Sequence, residues 1–145
     1  MRPLGTMKDF SLDSINDLFP DVDIMSAIGY LSIVRLGASS KQLKAITGLI
    51  GEKELIARSV STTSSLSKSY QTKRLSSTVT DNLIGLLRIY IRATKVYESF
   101  DLAKEWMRLS IPALGGEISV NILDSDAGRE VVRQTLRRME FGDYV

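Results

Sequence analysis

The 145-residue chain contains no cysteine and no histidine. The first absence excludes disulfides and thiolate chemistry, and the second removes imidazole acid–base catalysis. Together they remove zinc sites built on nitrogen and sulfur. A chain without cysteine fits a reducing compartment. Long apolar runs are also missing. The longest, LIGLLRIYI from Leu83 to Ile91, is interrupted by Arg88 and is far shorter than a membrane span. The opening MRPLGTMKDFSLDSIND carries aspartates where a signal peptide needs an apolar core. The expectation is a cytoplasmic protein with no membrane partner.

Catalytic motifs are equally scarce. Neither G-x-x-x-x-G-K-[ST] nor G-x-G-x-x-G occurs, and the LGG at Leu114–Gly116 is too short to cradle a phosphate without such a context. A serine nucleophile would have no histidine base. The adjacent Ser67 and Lys68 sit in a polar run with no sign of burial. The carboxylates of Asp124 and Asp126 are better explained by helix capping. The expectation is a protein that is not an enzyme and needs neither metal nor cofactor.

What is present is an ordinary globular composition, 43% apolar and 25% charged. The net charge of +2 hides a pattern. Residues 1–25 hold two basic and five acidic residues, residues 35–74 hold eight and two, and residues 101–145 hold six and eight. The positive charge is therefore concentrated in the middle third, where it suits an anionic partner such as nucleic acid; an ordinary solvated surface is the alternative.

Periodicity points to an all-α fold. Residues 1–25 read as an arm, flexible or forming a short helix on Phe10, Leu12, Ile15, Leu18 and Phe19 that Pro20 stops. A second helix is expected on Ile24, Ile28, Leu31 and Val34, ending at Gly37. A third, capped by Ser39 or Ser40, presents Leu43, Ile46, Leu49 and Ile50 and closes at Gly51. EKELIARSV adds one or two turns with Leu55 and Ile56 inward. After an STT break, Leu66 and Tyr70 stand four apart in a Ser/Lys-rich run, which matches the outline of a helix-turn-helix. The strongest helix spans TVTDNLIGLLRIYIRATKVYESF, with Thr80 as cap. Its apolar surface exceeds one stripe, so it is read as central and as a source of a dimer interface. FDLAKEWMRLS is a further helix with Leu102, Trp106 and Leu109 inward. The last helix follows Ser125 as N-cap, with Val132, Leu136 and Met139 inward and Arg129, Arg133 and Arg137 as a basic stripe. EISVNIL is a weak strand candidate.

From about Leu75 to Gly142 the chain resembles the C-terminal part of Xre/MbcA/ParS-type antitoxins. The resemblance is carried by Ala103, Trp106 and Met107, by Ala113–Gly116 as ALGG, and by Ile122, Leu123 and Asp124. It continues through the helix start Ser125, Asp126, Ala127, Gly128 with Val132, and ends on Met139, Glu140, Phe141 and Gly142. Ser110 and Ile111 stand where the family has Pro–Asn, Ser119 replaces a second proline, and Asn121 an aspartate. Upstream, Val60 occupies the place of a tight-turn glycine. Ser64–Ser69 replaces an arginine-rich run, and Leu75–Ser76 keeps a leucine-serine step.

The resemblance implies an antitoxin whose cognate partner is a RES-domain toxin that degrades NAD⁺. It further implies occlusion of the toxin's active site by the C-terminal domain and repression of the operon through an N-terminal helix-turn-helix on operator DNA. On that basis the DNA-binding residues are Thr63, Ser65, Lys68, Ser69, Lys73 and Arg74, with phosphate contacts favoured over bidentate guanine readout. The toxin-binding residues are Arg133, Arg137, Arg138, Glu140, Phe141, Tyr144 and Val145. The glycines of PALGG are read as allowing two helices to approach closely. The expected layout is an arm at 1–25, a helix-turn-helix DNA-binding region at 26–80, a central dimerisation helix at 81–100 and a small helical toxin-binding domain at 101–145. A homodimer, or a higher complex with the toxin, is expected. The alternatives are a stand-alone helix-turn-helix regulator without a toxin and a pure dimerisation scaffold.

Overall fold

The computed structural model describes residues 10–60 and 73–142. Among them are seven α-helices: α1 Phe10–Leu18, α2 Ala27–Leu36, α3 Ser40–Ile50, α4 Lys53–Val60, α5 Ser77–Tyr97, α6 Phe100–Met107 and α7 Asp126–Glu140. Two single-turn 3-10 helices, Pro112–Leu114 and Ser119–Asn121, join α6 to α7. The all-α expectation holds. EISVNIL forms no strand; it supplies one isolated bridge, Ser110 to Ile118, and the second 3-10 turn.

Helix α5 is the hub. Leu83, Ile84, Leu86, Leu87, Ile89, Tyr90 and Ile91 are all buried, so its apolar surface points in every direction. Helices α2, α4, α6 and α7 pack around it. This corrects one expectation. The apolar excess from Leu83 to Ile91 is covered by the chain's own helices and presents no apolar face for a dimer. The helix also starts earlier than expected. Ser76, not Thr80, is the cap and accepts from the Val79 amide at 3.2 Å. Thr80 is buried in the first turn, where its hydroxyl accepts from the Ala38 amide at 3.0 Å. That bond ties the α2–α3 junction to the hub. The backbone bond from Leu75 N–H to the Ala38 carbonyl, 2.8 Å, reinforces it.

Helix α3 follows its sequence closely. Ser39 and Gln42 form a reciprocal capping box, Leu43, Ile46 and Ile50 are fully buried, and Gly51 closes the helix in the left-handed region. Leu55 and Ile56 of α4 are inward as expected. The N-terminal segment is packed, with Ile15, Phe19 and Ile24 in the core. One cluster of buried apolar side chains runs from Ile15 to Leu136 and passes across the sequence boundaries at 25, 80 and 100.

Two helices are rotated from their expected faces. In α2, Ile28 is 74% exposed and Leu31 is 41% exposed, while Gly29 and Ile33 face the core. Close approach decides this. A Cβ at Gly29 would lie 1.9 Å from the Asp23 carbonyl oxygen, so only the glycine face fits against the chain there. In α6, Leu102 and Leu109 are about half exposed, and Phe100, Ala103, Trp106 and Met107 form the inner face. The helix ends at Met107, so Leu109 lies beyond it and loses the register on which its inward placement depended.

Tyr90 is a core side chain whose ring tilts against Phe100 at 6.5 Å, yet its buried hydroxyl has no hydrogen-bond partner among the described residues. Burial, and then the charge of Glu52, pushes its ionisation well above the ordinary phenol value. An unpaired buried hydroxyl carries its desolvation penalty uncompensated. Tyr90→Phe is therefore expected to stabilise the fold by about 1 kcal/mol. A urea titration monitored by far-UV circular dichroism checks this, and a lower midpoint would mean that the hydroxyl has a partner.

Candidate functional site

The segment after α6 is a compact turn that sets the direction of α7. Pro112 starts a 3-10 turn, and Gly115 (φ 70°) and Gly116 (φ 85°) reverse the chain in the left-handed region. Bonds from Ile111 N–H to the Glu117 carbonyl and from Gly116 N–H to the Ile111 carbonyl close the loop. Nothing lies within 4 Å of a Cβ built on Gly115, and only the Ser110 hydroxyl, at 3.9 Å, on Gly116. These glycines therefore serve handedness and not the close helix approach expected of them. Ser110 contributes instead of disrupting: its hydroxyl donates to the Gly116 carbonyl at 2.6 Å and pins the turn.

The close approach comes later, at Gly128. Ser125 caps α7 by accepting from the Gly128 amide at 3.0 Å. A Cβ at Gly128 would stand 1.6 Å from the Ile122 carbonyl oxygen, so the helix start is pressed against the preceding turn. Val132 and Leu136 then bury against the hub.

A groove opens between α5 and α7. Its outer part, about 480 Å³, is lined by Arg92, Arg133, Arg137, Glu140 and Phe141 among others. Phe141 is 70% exposed at the end of α7, with the Arg137 guanidinium 6.0 Å from its ring. Arg133 pairs with Glu130 within the helix. The inner part, about 410 Å³, lies beside Tyr30, Arg88, Arg92, Asp126, Arg129 and Arg133. Tyr30 donates its hydroxyl to the Asp81 carboxylate. Burial first, and then this bond, pushes its ionisation up to about 12, so it is neutral at physiological pH.

Of the expected toxin-binding residues, the structure brings Arg133, Arg137, Glu140 and Phe141 to one groove. Arg138 is exposed and does not line it. Tyr144 and Val145 lie outside the described residues. The basic stripe is not uniform. Arg129, expected on it, is buried and donates to the Leu123 carbonyl at 3.0 Å and to the Asn82 side chain at 3.2 Å. It anchors α7 to α5 instead of facing solvent.

Of the expected DNA-binding residues, Thr63, Ser65, Lys68 and Ser69 lie outside the described residues, as do Leu66 and Tyr70. Lys73 is exposed. Arg74 is held in place, with its guanidinium donating to the Gly37 carbonyl at 2.9 Å and its backbone bridged to Ser39.

Sequence reasoning missed the α5 contribution to the groove, Arg88 and Arg92. The signal was available: two arginines four apart on an otherwise apolar helix fall on one side of it. Tyr30 was not legible, because its approach to α5 depends on the rotation that Gly29 imposes.

Among the described residues there is no group of acidic side chains arranged to hold a metal, and no helix long and apolar enough to cross a membrane. Residues 92–142 match the family model described as the antitoxin Xre/MbcA/ParS C-terminal toxin-binding domain. The match begins in the last third of α5 and ends just beyond Phe141, so it takes in the α7 side of the groove and Arg92 facing it. No curated protein matches the chain.

Proposed function

We propose that this protein is an antitoxin that neutralises a partner toxin through the outer α5–α7 groove and the end of α7. The observation that carries the reading is a coincidence of position. The match to a toxin-binding domain covers the stretch in which an exposed aromatic, Phe141, sits beside the Arg137 cation and the Arg92 and Arg133 groove. Aromatic and arginine side chains at the rim of a groove are the residue types that anchor protein interfaces. The toxin is a RES-domain enzyme that degrades NAD⁺, and Arg133, Arg137, Arg138, Glu140, Phe141, Tyr144 and Val145 contact it so as to cover its active site. The positive middle third, with Thr63, Ser65, Lys68, Ser69, Lys73 and Arg74, binds operator DNA as a dimer and represses the operon. Arg74 acts there mainly by positioning, since it is committed to Gly37.

The test uses the full chain co-expressed with the toxin encoded beside it. Arg137→Glu combined with Phe141→Ser is expected to weaken the complex about 100-fold or more and to abolish protection of growth. Deletion of residues 138–145 should do the same. Undiminished protection in both variants overturns the occlusion reading. A gel shift on the upstream region with a salt titration examines the second activity: a sequence preference that survives added salt supports operator reading, and a steep salt slope without preference reduces it to phosphate contacts.

A further inference from the structure

The inner end of the groove has a chemistry that the partner reading does not use. Four guanidinium groups, from Arg88 and Arg92 on α5 and Arg129 and Arg133 on α7, converge on it, and one carboxylate, Asp126, stands on its lining. Among the described residues, Arg88, Arg92 and Arg129 make no ion pair. Both helices carry their like charges four residues apart, an arrangement that opposes helix formation unless something compensates it. Arg88 is the least satisfied of the four. Its guanidinium stacks over the Tyr30 ring at 4.2 Å and donates to the Met25 carbonyl at 3.3 Å, but its Nε is buried with no acceptor among the described residues.

Two of the groups are also held in place. Arg129 is fixed by its two hydrogen bonds and Arg88 by its stacking. Gly85 forms part of the lining; a Cβ there would come within 3.1 Å of both the Tyr30 hydroxyl and the Arg129 Nε, so the absent side chain keeps the cleft open. Burial first, and then the positive charges of Arg92 and Arg133 among its neighbours, disfavour the protonated form of Arg88.

We propose that this inner cleft binds a phosphoryl group, with Arg88, Arg92 and Arg133 as its donors. The charge balance selects phosphate over carboxylate. A carboxylate brings one negative charge and two oxygens, whereas a phosphoryl group brings up to two charges and three acceptor oxygens, closer to what converging guanidiniums require. The volume of about 410 Å³ falls within the range of roughly 300–1,000 Å³ usual for small-molecule sites. Such a group can come from a free phosphorylated compound or from a nucleic-acid backbone.

Pyrophosphate is the probe, titrated into the full chain and followed by thermal melting and calorimetry, with sodium chloride at matched ionic strength as reference. Wild type is expected to gain a saturable stabilisation beyond that of chloride. Arg92→Ala should weaken binding about tenfold or more, and Arg88→Gln with Arg92→Ala should abolish it. Asp126→Asn should tighten binding, because it removes the competing carboxylate. If the double variant does not fold, Arg133→Ala, at the accessible edge of the cleft, replaces it. Competition assigns the source. Displacement of pyrophosphate by duplex DNA of arbitrary sequence points to a backbone, and displacement by a mononucleotide alone points to a free compound. A response no larger than that of chloride, or one equal in wild type and the folded variants, overturns the proposal.

Discussion

Gly128→Ala is expected to destabilise the protein by about 3 kcal/mol or more, although alanine is the better helix former by roughly 1 kcal/mol in an open position. The new Cβ would stand 1.6 Å from the Ile122 carbonyl oxygen and 2.6 Å from its carbon. Backbone atoms cannot rotate aside as a side-chain end can, so relief requires α7 to shift away from the turn. That shift would break the Ser125 cap and pull Val132 and Leu136 from the hub. Gly48→Ala is the matched control. Gly48 is helical, exposed and has nothing within 4 Å of the added carbon, so the same change should stabilise by about 0.5–1 kcal/mol. Chemical denaturation of the two variants beside wild type checks the opposite signs. Equal shifts in one direction would mean that packing at Gly128 is not what fixes α7.

The second large effect is expected at Arg129. Its side chain is 4% exposed and spans from α7 to the Leu123 carbonyl and to Asn82 on α5. Arg129→Ala removes both charge-assisted bonds, leaves their acceptors to find other partners, and empties the space the methylene stem fills. A loss of about 3 kcal/mol is expected. Arg129→Lys should recover less than half of it, because an ammonium on a flexible stem cannot reproduce the planar fork that reaches two acceptors in different directions. Urea denaturation gives the magnitude. Hydrogen exchange gives the location: protection should fall in α7 before it falls in α3. Uniform loss across the chain would assign Arg129 to general packing rather than to the α5–α7 contact.

Legibility in the sequence followed the kind of physics each element depends on. Helix α3 was read almost completely, because its signals are local: a serine cap, apolar residues at helical spacing and a closing glycine; the Gln42 half of its capping box was missed. The Ser125 cap and the inner face of α7 were readable for the same reason. Helix α2 was misread, because its periodicity allows Ile28 and Leu31 to face the core equally well. What selects the other face is a carbonyl of Asp23 pressing on Gly29, a contact no spacing rule contains. The two roles of glycine were exchanged in the same way. PALGG looked like a close contact and is a change of handedness, whereas Gly128, which looked like part of a helix start, is the close contact. Half of the groove was visible in the Arg129, Arg133 and Arg137 spacing. The half on α5 was hidden because Arg88 and Arg92 interrupt a helix whose dense apolar residues dominate its pattern and leave no polar face to single out.

Gly29 and Gly128 share one further property. Each is the third residue after a capping serine, Ser26 or Ser125, and each presses on the carbonyl three residues before that serine. The residues that follow them, Tyr30 and Arg129, both come to within 3.1 Å of a Cβ position on Gly85. An early helix and the last helix thus dock on opposite flanks of a single notch in α5. Any side chain placed at Gly85 would meet both at once, so one missing carbon sets how closely each of these helices can seat on α5.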